Sequence, residues 1–324
     1  FRLVSPDDQS LRWVAGISWF SQDRFRSLGT TFLGNVVPPA AQDLKLEDLA
    51  VFGNLSYDLS DAMELMLAFR WDEETPEDVT QGRSATFSEF QPKASLAYRF
   101  GEDLLGYVTI GKGFRAGGFN NLAPGSNFEP GFDRESLVSY ETGLKGTAWD
   151  GRLRAGVSLF FIDYTDQQFF LFDQTGTQAN INVPKSEIFG GELELAAQAT
   201  ENLLLNLGIG FTDSEIVEYE DIQGVLVPAS EIIGRNVPGA PVFSASLALQ
   251  HTAAVSDRFD LVSRAAIDHR GKTYWTLDNL DTQSSYNLVN LSVSLETERW
   301  GARLFVDNAL DEEYIEWFFG ARFI

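Results

Sequence analysis

Between Met63 and Asp72 the chain alternates without a break. Met63, Leu65, Leu67, Phe69 and Trp71 fall on one side of an extended backbone; Glu64, Met66, Ala68, Arg70 and Asp72 fall on the other. Successive side chains of a strand point to opposite faces, so this segment has one apolar wall and one charged wall. The split recurs at Leu203 to Thr212, at Phe259 to Arg270, at Asn287 to Glu296 and at Trp300 to Asp307. Many strands of this kind, each with its charges on one face, predict a barrel with lipid outside and water inside.

Composition is compatible with that reading. Hydrophobic residues make up 44% of the 324 residues, and no stretch approaches the roughly 18 consecutive apolar residues of a spanning helix. Barrels carry their membrane signal in alternation, so a mean hydropathy of −0.12 does not exclude the bilayer. Cysteine is absent, which rules out disulfides, thiolate metal sites and cysteine nucleophiles. A net charge of −23 would repel phosphates, so nucleic acid is not expected as a partner.

The connections alternate in length. Short polar turns are expected at Ser60-Asp61, Gly101 to Asp103, Asp150-Gly151, Thr200 to Asn202, Ser256-Asp257 and Thr297 to Arg299. Longer connections are expected at Gln22 to Gln42, Glu74 to Thr86, Gly113 to Arg134, Asp166 to Asn180, Ser214 to Pro238 and Gly271 to Thr282. Short turns on one side and long loops on the other are the habit of outer-membrane barrels. About fourteen strands fit between these connections, in one continuous domain. The chain opens in mid-strand at Phe1 to Val4 and stops at Ala321 to Ile324 without an obvious turn. The expectation is therefore an incomplete all-β, transmembrane antiparallel barrel. Trp13, Trp71 and Trp300 lie on the apolar faces of their strands, as an interfacial aromatic belt requires.

No enzyme chemistry emerges. Glu192 and Glu194 share an inward face with Gln198, and a hydrated channel wall explains them better than a glycosidase pair. His251 and His269 lack a second histidine at ligand spacing, so no metal or cofactor is expected. The glycines from Gly111 to Gly118 miss the spacings of phosphate-binding loops.

Several phrases carry a family resemblance. Tyr107-Val108-Thr109-Ile110-Gly111-Lys112-Gly113-Phe114-Arg115-Ala116-Gly117-Gly118-Phe119-Asn120 resembles a strand-to-loop segment of TonB-dependent outer-membrane receptors. Tyr140 to Gly146, Phe161 to Gln168, Gly190 to Glu194 and Phe305 to Tyr314 resemble later segments, in the family's order and across most of the chain. The haem receptors of that family carry a proline where Gly117 stands, which weakens a haem assignment.

The resemblance implies a 22-stranded barrel filled by an N-terminal plug, of which residues 1–324 would supply the barrel part without plug or final strand. It implies an outer-membrane receptor of a Gram-negative bacterium that binds a ferric siderophore or similar scarce nutrient. Import would be energised by the TonB complex acting through the plug. Candidate ligand contacts in the long loops are Arg115, Phe119, Asn120 and Trp275, chosen because aromatic and cationic loop residues anchor ligands. Candidate lumen-facing residues are Glu141, Lys145, Glu192 and Glu194, with Glu141 and Lys145 contacting the plug or each other across water. A passive porin-like channel is the alternative inside the membrane. A soluble all-β carbohydrate-binding or hydrolytic protein is the alternative outside it.

Overall fold

The computed structural model describes residues 1–32, 35–122, 125–172, 177–222, 227–316 and 318, with residues 28–32 and 35–40 described by backbone alone. Pro124, the last residues Ala321 to Ile324 and parts of two long connections, 173–176 and 223–226, lie outside the described residues.

The strands run in chain order as β1 (Arg2–Val4), β2 (Leu11–Phe32), β3 (Asn35–Ser60), β4 (Met63–Asp78), β5 (Arg83–Ser84), β6 (Phe87–Arg99) and β7 (Leu104–Arg115). There follow β8 (Gly118–Phe119), β9 (Gly131–Phe132), β10 (Glu135–Ala148), β11 (Leu153–Phe172), β12 (Gln178–Thr200) and β13 (Leu203–Glu218). The last are β14 (Phe243–Ser256), β15 (Phe259–Arg270), β16 (Thr273–Tyr274), β17 (Thr282–Gln283), β18 (Tyr286–Glu296) and β19 (Gly301–Val306). One 15-stranded sheet holds them together. Fourteen strands follow one path in strict sequence order, and β5 pairs back onto β4. Every pairing in that sheet is antiparallel. β8 with β9 and β16 with β17 form separate two-stranded ribbons in the long connections. Among the described residues the only helix is the single turn Ala229–Ile232, so no helix is long and apolar enough to cross a membrane.

Register turns the alternation of single strands into two continuous faces. Trp13, Leu55, Leu67, Ala94, Ile110, Tyr140, Phe161 and Phe189 are successive register partners across eight strands. On the opposite face Met66, Ser95, Thr109, Glu141, Phe160, Gly190 and Thr212 are likewise successive partners. The large side chains of the first row face outward, and Trp13, Leu67, Ile110, Tyr140 and Phe189 are exposed. A water-soluble sheet would bury such a row; lipid makes its exposure favourable. Gly190 has a steric role, since a side chain there would run into the ring of Phe160.

Val157 stands near the middle of this outward face. Val157→Arg is expected to destabilise the inserted sheet by roughly 2–4 kcal/mol. Ser158→Arg, on the lumen face opposite Glu192, should be close to neutral. Urea titration of both variants in lipid vesicles compares them; equal losses would remove the lipid assignment of the outward face.

The short connections are tight turns, as expected. At Trp149-Asp150-Gly151 the backbone is left-handed at three successive residues (φ 53°, 55° and 81°), which Gly151 tolerates without strain. Three of the long connections differ from the expectation. Gln22 to Gln42 is mostly not a loop: β2 and β3 stay paired from Leu11↔Tyr57 to Phe32↔Asn35. β4 likewise continues to Asp78, and β11 and β12 remain paired as far as Phe172↔Gln178. The backbone ladder continues because each strand still has a partner. The apolar alternation weakens once neither face meets lipid.

The side-chain core lies with these extensions, away from the lipid-facing rows. Phe128, Ala179, Ile181, Val183, Ile216, Tyr219, Ile232, Val237 and Leu277 form one buried cluster. They come from the β9 connection, the upper part of β12, the end of β13 and the two connections that follow β13 and β15. The long-loop end is therefore a folded cap with its own hydrophobic interior.

Candidate functional site

The long-loop end carries a polar network built on one buried ion pair. The side chain of Asp78, at the end of β4, is fully buried. Its carboxylate accepts hydrogen bonds from Arg83 Nη2 at 2.7 Å, Gln42 Nε2 at 3.0 Å and the Gln81 amide at 3.1 Å. Arg83 also donates to the carbonyls of Pro130 and Asn120, at 2.8 and 3.0 Å. Burial pushes the Asp78 carboxyl up, but its bonds from Arg83, Gln42 and the Gln81 amide outweigh burial and hold it below the usual carboxylate range.

The four loop residues expected to contact ligand have different surroundings. Arg115 ends β7 with its side chain 64% exposed, 3.9 Å from the Glu135 carboxylate. Glu135 in turn accepts the Gln168 amide at 2.6 Å. Phe119 lies under Arg83, whose guanidinium carbon is 5.0 Å from the ring centre. Asn120 is buried and fully engaged: it donates to the carbonyls of Glu129 and Asn180 and accepts the Asn180 amide. Its position makes it a fastener between the β8–β9 connection and β12. Trp275 is half-buried, its backbone amide donates to Asp281, and its indole N–H has no protein acceptor. Of the four, Arg115 is exposed, Phe119 and Trp275 are half-buried, and the indole N–H of Trp275 is itself buried.

Asp166 shows a local conflict at the same end. It sits in β11 with φ 55°, and its backbone oxygen accepts Asn182 Nδ2 at 2.8 Å. Burial, then the neighbouring Asp133, pushes its carboxyl above the ordinary value. A carboxyl raised in this way opposes folding above its folded value, and the opposition fades as pH falls through that value. Asparagine tolerates the left-handed backbone and has no charge. Asp166→Asn is therefore expected to stabilise the cap at neutral pH by up to about 0.5 kcal/mol. Slower hydrogen exchange at the Gln167 and Gln168 amides is the readout; faster exchange would contradict the account.

Glu141 and Lys145 share one face of β10 but do not meet directly. Tyr107 of β7 stands between them: its hydroxyl donates to Glu141, and Lys145 Nζ lies 5.4 Å from its ring centre. Spacing along β10 places the two charges on one face, but the tyrosine arrives from the neighbouring strand. Glu192 and Glu194 share one face of β12. Glu192 is flanked in register by Ser158 and Gly210, and Glu194 by Gly156 and Gly208. Both carboxylates rise from a floor of small residues, an open geometry that suits a hydrated wall.

Sequence reasoning missed the Asp78–Arg83 pair and the engagement of Gln42, Gln168 and Asn182. The Asp78-to-Arg83 interval lies within one turn and was a legible signal. The other contacts bridge segments far apart in the chain, and spacing does not reveal them. Among the described residues no three His, Cys, Asp or Glu side chains gather in a metal-holding arrangement.

Comparison with known proteins agrees with the geometry. Residues 3–309 match the family described as TonB dependent receptor-like, beta-barrel. The pesticin receptor of Yersinia enterocolitica is 22% identical over 280 residues, covering 83% of this chain and 40% of that protein. The ferric yersiniabactin uptake receptor of Yersinia pestis superposes with a TM-score of 0.78 at 18% identity, covering 97% of this chain and 48% of that one. A siderophore receptor of Acinetobacter baumannii superposes with a TM-score of 0.75 at 17% identity, covering 97% and 51%. The chain thus spans about half or less of the length of the proteins it matches, and it shares the fold of the two solved structures.

Proposed function

Because this chain belongs to the TonB-dependent receptor-like β-barrel family, we propose that it is the barrel part of an outer-membrane receptor that takes up a ferric siderophore or similar scarce nutrient. The observation that carries this reading is the folded cap over the long-loop end of a lipid-facing sheet. A passive pore needs only a lined opening, whereas a receptor needs a shaped surface held rigid for recognition. Arg115, Phe119 and Trp275 are the candidate contacts there. Arg115 suits an anionic chelate, and the two rings suit its organic frame. Uptake is coupled to TonB through a plug, and no covalent step is involved.

The test uses the whole gene product in a Gram-negative host lacking its own siderophore receptors. Radiolabelled iron is supplied as a panel of siderophore complexes, with and without a functional TonB. Saturable uptake of one complex that vanishes without TonB is the expected result. Uptake of many small solutes that is indifferent to TonB would identify a porin-like channel instead.

A further inference from the structure

Strands β6 and β7 part before either of them ends. Their ladder runs from Arg99↔Leu105 to Lys93↔Gly111 and stops there. β6 nevertheless continues to Phe87 against β4, and β7 continues to Arg115 against β10. At every other pairing of the main sheet the ladder runs to within a residue of the end of at least one strand. A proline sets the stopping point. The Arg99 amide donates to Ala62 on the β4 side, and the Phe100 amide donates to Leu104 of β7. Backbone groups alternate in direction along a strand, so Pro92, like Phe100, turns its backbone toward β7. It has no N–H to give to the next rung. Beyond it side chains meet the same edge: the Ser88 carbonyl accepts Arg134 Nη1, and the Phe90 amide bonds the Glu89 carboxylate at 3.3 Å.

Alternation marks the same gap independently. Lys112 shares a face of β7 with Ile110 of the outward row, whereas Glu89 shares the opposite face of β6 with Lys93. Yet Lys112 Nζ donates to Glu89 at 2.8 Å. A side chain reaches from one face of a sheet to the other only where no rung closes it. Glu89, with its side chain 11% exposed, also lies 3.4 Å from Arg134 Nη1. The other contacts across the gap are likewise made by side chains. Arg83 donates to the Asn120 and Pro130 carbonyls, Gln81 Nε2 donates to the Asn121 side chain, and the Phe87 ring lies against Gly117. Among the described residues no backbone–backbone hydrogen bond crosses it.

We propose that the long-loop end opens along this seam, with Glu89 as its latch. The joint consists of side chains that can exchange their partners for water, while β6 stays paired with β4 and β7 with β10. The β7–β10 connection is held on its other side by the buried cluster, through Phe128. It therefore moves with β10 to β13 and not with β6. Parting the seam carries Phe119 away from Arg83, whose guanidinium stands over its ring. Opening thus uncovers a ring face that the closed mouth hides. The proposal stands on the backbone pairing and is independent of the cargo.

The test uses the whole gene product in lipid vesicles, with any cysteine outside residues 1–324 replaced by serine; residues 1–324 contain none. Spin labels at Ser84→Cys and Glu129→Cys, both exposed positions, report the distance across the seam. Labels at Glu129→Cys and Thr165→Cys report a distance on one side of it. Pulsed electron spin resonance should resolve a closed and a wider population across the seam, and a single population for the control pair. Glu89→Gln keeps the size and removes the charge, and should raise the ratio of wide to closed about tenfold. Pro92→Ala returns the missing donor and should lower that ratio. Because Pro92→Ala removes none of the polar contacts, it decides the matter even where Glu89→Gln fails to fold. One unchanged distance across the seam in the parent and both variants would overturn the proposal. So would equal widening of the control pair by Glu89→Gln, or a wider seam in Pro92→Ala. The assay contains neither siderophore nor TonB, so its failure leaves the uptake proposal standing, and failure of uptake leaves this one standing.

Discussion

Asp78→Ala should loosen the long-loop end by roughly 3–5 kcal/mol, because it strands a charge inside the protein. Arg83 would keep its bonds to Pro130 and Asn120 but lose its counter-ion, while its side chain is only 20% exposed. Gln42 and the Gln81 amide would lose their acceptor as well. Because these contacts join β3, β4 and the β8–β9 connection, the damage should spread beyond the site of substitution. Hydrogen exchange at the Arg83, Asn120 and Asn180 amides should accelerate together, and trypsin should gain access to Arg83. Unchanged protection at all three amides would show that the pair is dispensable. The native pair also implies an acid limit. A carboxyl held below its unfolded value contributes stability above that value and loses it as pH falls through the folded one. The parent cap should therefore weaken below a pH of about 4, and Asp78→Ala should lack that component.

Ile216→Ala is expected to cost about 2–5 kcal/mol, the usual range for emptying a packed interior position. Ile216 has no exposed surface and sits in the cluster with Val183, Ile232, Val237 and Leu277. Its backbone amide bonds Arg235 and its carbonyl accepts Gly234, so the side chain helps to hold the one-turn helix against β13. The loss should be local to the cap. Thermal melting of the inserted sheet should move little, while limited proteolysis between β13 and β14 should begin at lower temperature. A similar fall in both readouts would mean that cap and sheet unfold as one unit.

The legible and illegible parts of this chain differ in what surrounds them. Met63 to Trp71 could be read because lipid lies on one side and water on the other, which imposes a period of two. Beyond Leu49 and Trp71 both faces of the hairpins meet water or other loops. Leu44 to Glu47 and Thr75 to Asp78 are strand all the same, held by backbone pairing that leaves no mark on composition. Ile181, Val183, Val237 and Leu277 could not be read as a core, because their neighbours come from connections far apart in the chain. The four-residue spacing of Glu141 and Lys145 implies one face of β10. The intervening Tyr107 belongs to another strand, and a pattern read along one strand does not contain it. Among the candidate contacts, Asn120 is saturated by Glu129 and Asn180, which depends on a partner sixty residues away that spacing does not reveal.

The Asn120 fastening has a consequence for exchanging loops between relatives. A meander joins each strand to its chain neighbours, which suggests that any long connection could be transplanted alone to change what is recognised. The bonds between Asn120 and Asn180, with those between Asp133 and Asn182, bind the β7–β10 connection to the β11–β12 hairpin. A chimaera that imports one without the other would leave buried amides unmatched. These two segments should therefore be inherited, and engineered, as a pair.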